Sequence, residues 1–242
     1  MIEREYTQRF YRRWQNPPDL SLFSVHCRET DLAIYAAEDL SHRAYGLVKK
    51  FRGHIEKTIE LHPEFKSSLS PVKISSPYSI INEMVAKAAH VGVGPMAGVA
   101  GAIAEYVGKE LLASTDEIIV ENGGDIFIRT LRDRTVLVYT GEDSPFKDRV
   151  RVRLRKGENS FGVCTSSRTI GHSLSFGNTD AVVVISPSTI TADCLATALG
   201  NMVKKKDDVE EAMKFAESFK GIQGGLIIIE DQMAVFGEVE LC

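Results

Sequence analysis

Gly94–Ile128 reads GPMAGVAGAIAEYVGKELLASTDEIIVENGGDIFI, and its reading decides the fold. Pro95 suits the first turn of a helix, where its missing N–H leaves no hydrogen bond unmade. Val99, Ile103, Val107 and Leu111 then recur every four residues and predict one apolar helical face. Ala97, Gly98, Ala100, Gly101, Ala104 and Gly108 around them are all small. A glycine inside a helix costs about 1 kcal/mol relative to alanine. Three of them imply that something approaches the bare backbone closely: another helix, a second subunit, or a ligand. An apolar strand over Glu117–Glu121 follows, then Asn122-Gly123-Gly124-Asp125 and a second strand over 126–130. Asn-Gly between apolar runs signals a tight hairpin. The unit is helix, strand, turn, strand.

Working outward, the strands come mostly as hairpins. Leu20–Cys27 and Asp31–Ala37 form one pair on the N-terminal side. Thr135–Thr140, Val150–Leu154 and Phe161–Cys164 follow the central unit. Ala181–Ile185 is apolar throughout, as expected of a central strand buried on both faces. Leu226–Glu230 and Ala234–Glu238 close the chain. Helical periodicity marks Ser41–Leu61, Pro77–Ala89, a helix starting at Pro187-Ser188, and Asp207–Phe219. Glu64–Ser76 reads as a polar connector, and Met1–Trp14 as a basic, solvated edge. The fold class is therefore α+β, with helices packed on largely antiparallel sheets. The 242 residues fit one domain or two intimate subdomains, about 1–93 and 94–242.

Composition narrows the function. The net charge is −4, which argues against a nucleic-acid partner. No apolar run is long enough for a membrane span, and the charged N-terminus lacks the apolar stretch of a signal peptide. Four scattered cysteines form neither a CxxC pair nor a zinc spacing, so we expect a cytoplasmic protein with reduced thiols. Cys164 and Cys194 stand beside the candidate sites; as free thiols they read as small hydrophobes.

Asp193 and Thr197 are four apart, so on a helix they share a face. A carboxylate and a hydroxyl are hard oxygen ligands of the kind that hold Mg²⁺. An acidic residue in a first helical turn also simply favours the helix dipole, with Ser188 or Thr191 as cap. Both readings stand on spacing alone. Thr165-Ser166 follows a strand and offers hydroxyls and amides to an anion, or serves only as a turn. His172, in a polar loop, is a candidate general base or phosphate contact, or a solvated side chain.

Taken together and in order, these segments resemble the FAD:protein FMN transferase family, the ApbE-like proteins. Ala97-Gly98-Val99-Ala100 is similar to its GGIA segment, and Asn122-Gly123-Gly124-Asp125 to its GGD turn. Thr165-Ser166 is similar to its T-S loop, and Ala192–Leu199 to ADALATAL with one change. The resemblance implies an ApbE-like, T-fold-like architecture and a Mg²⁺ site. Its ligands carry over as Asp193, Thr197 and the backbone carbonyl of Gly98. It also implies binding of FAD or a related dinucleotide around Gly98, Gly101, Gly123, Gly124, Thr165, Ser166 and His172, with His172 and Asp193 as the catalytic pair. The family's reaction moves FMN from FAD to a Ser or Thr of an acceptor protein and releases AMP. The sequence departs from that pattern at Pro95, where the family has an acidic flavin contact. It departs again at Gly101, where the family has lysine, and after His172, where Asp-Pro is missing. It looks like a short cytoplasmic branch that is associated with homocysteine formation. The alternatives are thus a flavin or nucleotide module that binds without turnover, or a sulfur-assimilation partner using Cys164 or Cys194. The small-residue helix leaves a homodimer open.

Overall fold

A computed structural model describes residues 17–157, 159–167 and 177–242. The strands in chain order begin with β1 (Ser21–Cys27) and β2 (Thr30–Ala36). Helices α1 (Ser41–Leu61), α2 (Glu64–Ser67), α3 (Ser79–Val91) and α4 (Val99–Leu111) follow. Next are β3 (Ile118–Asn122), β4 (Asp125–Arg129), β5 (Arg134–Leu137), β6 (Arg151–Leu154), β7 (Phe161–Ser166) and β8 (Ala181–Ser186). The chain ends with α5 (Thr189–Met202), α6 (Val209–Glu217), β9 (Gly224–Ile229), β10 (Gln232–Gly237) and β11 (Glu240–Leu241).

Eight strands form one sheet in the order β1-β2-β3-β4-β7-β8-β9-β10, every neighbour antiparallel. The second sheet is small, β11-β6-β5. The helices cover one face of the large sheet and the small sheet covers part of the other. Period-two alternation explains both contacts. Val182 and Val184 join the core beneath the helices, while Ala181, Val183 and Ile185 join a second core with Val152 and Leu154. This is why the β8 sequence is apolar without interruption.

The two halves of the large sheet repeat one plan. Each runs hairpin, helices, hairpin: β1-β2, α1 to α4, β3-β4 in the first, and β7-β8, α5, α6, β9-β10 in the second. Within the sheet they meet at β4 and β7, through three residue pairs from Ile126↔Val163 to Ile128↔Phe161. Absence of sequence repetition hides this repetition of topology.

Several expectations need correction. Pro95 opens a single 3₁₀ turn, Pro95–Gly98, and the α-helix begins only at Val99. The hairpin turn is Gly123-Gly124, both at positive φ, with Asn122 and Asp125 paired as the last residues of the strands. Glycine tolerates that backbone where a side chain would be strained. The connector after His62 contains α2, whose Phe65 is fully buried. The strand expected over Thr135–Thr140 ends at Leu137, and β11 was not foreseen. Met1–Trp14 and His172 lie outside the described residues. No single helix among the described residues is long and apolar enough to cross a membrane.

Candidate functional site

The first turns of α4 and α5 pack with almost nothing between them. A Cβ on Gly98 would stand 2.7 Å from Cys194 Sγ, and one on Gly101 2.7 Å from the Thr189 carbonyl oxygen and 2.9 Å from Asp193 Cβ. On the far side, a Cβ on Gly108 would enter the Phe127 ring at 2.2 Å. The bare helix face is thus filled within the chain, by α5 and β4. The small residues need no second subunit to explain them.

This closeness lets each helix cap the other. Asp193, on α5, accepts a hydrogen bond from the Gly101 amide at 2.8 Å. Glu105, on α4, accepts from the Ile190 amide at 3.1 Å and from Ser188 Oγ at 3.3 Å. First-turn amides have no partner within their own helix, and a carboxylate there also meets the positive end of the dipole. The two caps differ in one respect. Glu105 is paired at i+4 with Lys109, 2.6 Å away. Asp193 has Thr197 at the same offset, and among the described residues no lysine or arginine pairs with it. Thr197 Oγ1 instead lies 3.5 Å from the Ala97 carbonyl oxygen, as its donor. Asp193, Thr197 and the Ala97–Gly101 backbone therefore converge. The carbonyl that Thr197 reaches is that of Ala97, next to Gly98 in the turn that leads into α4.

A second cluster adjoins the first. Asn122 Nδ2 donates to the Ala100 carbonyl at 3.0 Å, fastening the Gly123-Gly124 turn to the first turn of α4. Asp125 follows the turn and faces the helices, in alternation with Ile126 and in step with Phe127. It is 7% exposed, and Oδ1 has no partner. The Cys164 thiol lies beside it and donates to the Thr189 carbonyl at 3.3 Å. A Cβ on Gly124 would stand 3.9 Å from Thr165, so the turn lies beside that residue. Ser166 lies farther along, against Gly200 of α5.

Burial sets the charges here. It pushes Asp193 up to about 7 against the opposing pull of the Gly101 and Ala100 amides. It pushes Asp125 well above the usual carboxylate range, reinforced by the charge of Asp193. It likewise raises the Cys164 and Cys194 thiols, which stay protonated. Neutral buried thiols are inert as nucleophiles, so the geometry gives no support to a thiol reaction.

The structure thus brings together Gly98, Gly101, Asp193 and Thr197, and beside them Gly123, Gly124 and Thr165. Asn122, Glu105 and Asp125 were not singled out from the sequence. Glu105 was legible as a lone acid in an apolar helix with Lys109 at i+4. Asp125 was legible as the strand residue in phase with Phe127.

Comparison with known proteins bears on the family and the fold. The family model described as AbpE bacteria matches residues 12–234. A UPF0280 protein of Methanocaldococcus jannaschii is 39% identical over 203 residues, 81% of this chain and 82% of its own. A UPF0280 protein of Methanopyrus kandleri is 35% identical over 220 residues, 88% and 89% of the two chains. Among solved structures, the apo form of Pseudomonas stutzeri flavinyl transferase ApbE superposes with a TM-score of 0.59 at 14% identity, over 91% of this chain and 94% of that one. The flavin transferase ApbE from Vibrio cholerae gives 0.53 at 16% identity, over 90% and 96%. At such identities the likeness is one of fold. On the extent of the family match and of the UPF0280 relatives, the chain belongs to the AbpE bacteria family and carries an ApbE-like fold.

Proposed function

We propose that this chain is a Mg²⁺-dependent transferase that binds FAD, or a related dinucleotide, where α4 meets α5. The observation that carries the reading is the inequality of the two caps. Glu105 has the Lys109 ammonium to balance it, whereas Asp193 is buried with only the Thr197 hydroxyl at that offset. A buried carboxylate without a counter-charge is costly. The donors around it are all hard oxygens, a carboxylate, a hydroxyl and a main-chain carbonyl, the set that suits Mg²⁺. Asp193, Thr197 and the Ala97 or Gly98 carbonyl would hold the ion. Bound there, it would supply positive charge to offset that of a diphosphate.

The chain's own residues do the rest. The side-chain-free turn at Gly123-Gly124 admits a ligand close to the main chain, and Thr165 stands against it. Asn122 keeps that turn in register with α4. By analogy with the flavin transferases of similar fold, an acceptor hydroxyl would attack the FMN phosphorus, the diphosphate bridge would break, and AMP would leave. The test is direct. FAD should bind in the presence of Mg²⁺ and not of chelator, and AMP should appear once acceptor proteins are added. FAD binding indifferent to Mg²⁺ and to Asp193→Ala would overturn the reading.

One observation favours a second reading, a module that binds without turnover: Gly101 stands where the resembled family has lysine, and its amide is already taken by Asp193. Tight Mg²⁺-dependent FAD binding with no AMP under any acceptor would select it.

A further inference from the structure

We propose that Asp125 is an additional ligand of the cation at Asp193, contributing its Oδ1 oxygen. The inference rests on the reading of a cation at Asp193 and adds to it a residue from the sheet. Three observations carry it. Asp125 is nine-tenths buried, and Oδ1 meets no donor among the described residues. A buried oxygen of this kind costs free energy unless a proton or a cation satisfies it. The Cys164 thiol beside it donates its one proton to the Thr189 carbonyl, 3.3 Å away, and leaves Oδ1 unsatisfied. Finally, Asn122, its partner across the hairpin, bonds the Ala100 carbonyl in the turn of α4 that Asp193 caps. Asp125 and the uncompensated Asp193 thus lie near enough for the charge of one to act on the other, and no lysine or arginine among the described residues pairs with either. One divalent cation between them would neutralise both. The class is a hard divalent ion such as Mg²⁺ or Mn²⁺, with substrate or water oxygens completing its shell.

The whole chain is titrated with Mn²⁺ alone, bound and free ion being separated by electron paramagnetic resonance. Wild type, Asp125→Asn and Asp193→Asn are compared, with circular dichroism confirming the fold of each apo form. Asp125→Asn should weaken Mn²⁺ binding about tenfold or more, and Asp193→Asn should weaken it at least as much. Wild-type affinity in Asp125→Asn, with binding lost in Asp193→Asn, overturns the assignment of Asp125 and leaves it a permanently protonated acid. Wild-type affinity in both overturns the cation site itself. Should Asp125→Asn fail to fold, wild-type protein carrying carboxyl-labelled aspartate decides. Trace Mn²⁺ should broaden the Asp125 and Asp193 signals together, and a sharp Asp125 signal overturns the proposal.

Discussion

The Asp193 carboxylate and the Gly101 amide are 92 positions apart in the chain and 2.8 Å apart in space. The contact exists because glycine at 98 and 101 removes the atoms that would hold the two helices apart. Asp193→Asn keeps the shape and a carbonyl acceptor but removes the charge. We expect Mg²⁺-dependent FAD binding to weaken about tenfold or more, with apo melting temperature equal to or above wild type. Calorimetric titration and a thermal melt read both.

Glycine substitutions should divide by location. Gly101→Ala drives a methyl group into the Thr189 carbonyl, and such overpacking costs about 1–3 kcal/mol. Cation binding should fall with it, because Asp193 is displaced. Gly53→Ala in α1 meets nothing within 4 Å. It should stabilise by about 0.5–1 kcal/mol, the ordinary gain for alanine over glycine in a helix. Urea unfolding of the two variants tests the contrast.

Glu105 holds the α5 first turn. Glu105→Ala strands the Ile190 amide in a buried setting and should destabilise by about 1–3 kcal/mol. Lys109→Ala leaves the buried Glu105 carboxylate without its counter-charge but with its amide and hydroxyl donors, and should destabilise less than Glu105→Ala. Equal losses in the two variants would mean that the ion pair, and not the cap, is what matters.

The apo protein should become less stable as pH rises. Asp193 titrates near 3.8 when unfolded and is pushed up to about 7 when folded. The folded chain therefore holds a proton that the unfolded chain has released between those values. Its contribution is complete below about pH 4 and is lost as pH rises through about 7, with a slope of at most about 1.4 kcal/mol per pH unit. Mg²⁺ favours the charged carboxylate and should oppose this trend. Melting temperatures at pH 5 and pH 8, in chelator and in Mg²⁺, should show the gap between the two conditions widening at pH 8.

Thiol chemistry separates the cysteines. Cys164 and Cys194 are buried with raised thiols, while Cys242 is exposed. A thiol-reactive disulfide added to native protein should label Cys242 quickly and leave Cys164 and Cys194 unlabelled until denaturant is added. Rapid labelling of either buried thiol would revive a sulfur-chemistry role.

Much of this was legible because it is local. The Ser41–Leu61 helix declares itself by period, β8 by its unbroken apolar run, and the Gly123-Gly124 hairpin by residues that few other structures require. The glycines announced a close approach but not the partner. Only tertiary packing shows that it is Thr189, Asp193 and Cys194. Asp125 read as part of a turn because its importance depends on β7 and α4, which lie elsewhere in the chain. Nor does the sequence show that the Thr197 hydroxyl reaches the Ala97 carbonyl, which the 3₁₀ turn before α4 presents.

The three-pair seam between β4 and β7 has a mechanical consequence. Gly98, Gly101 and Asp125 belong to one side of it, and Thr165, Asp193 and Thr197 to the other. A ligand gripping both sets acts as a rivet across the narrowest joint in the sheet. The amide protons that bridge the seam, among Ile126–Ile128 and Phe161–Val163, should then exchange more slowly on loading, while those of the outer hairpins keep their pace.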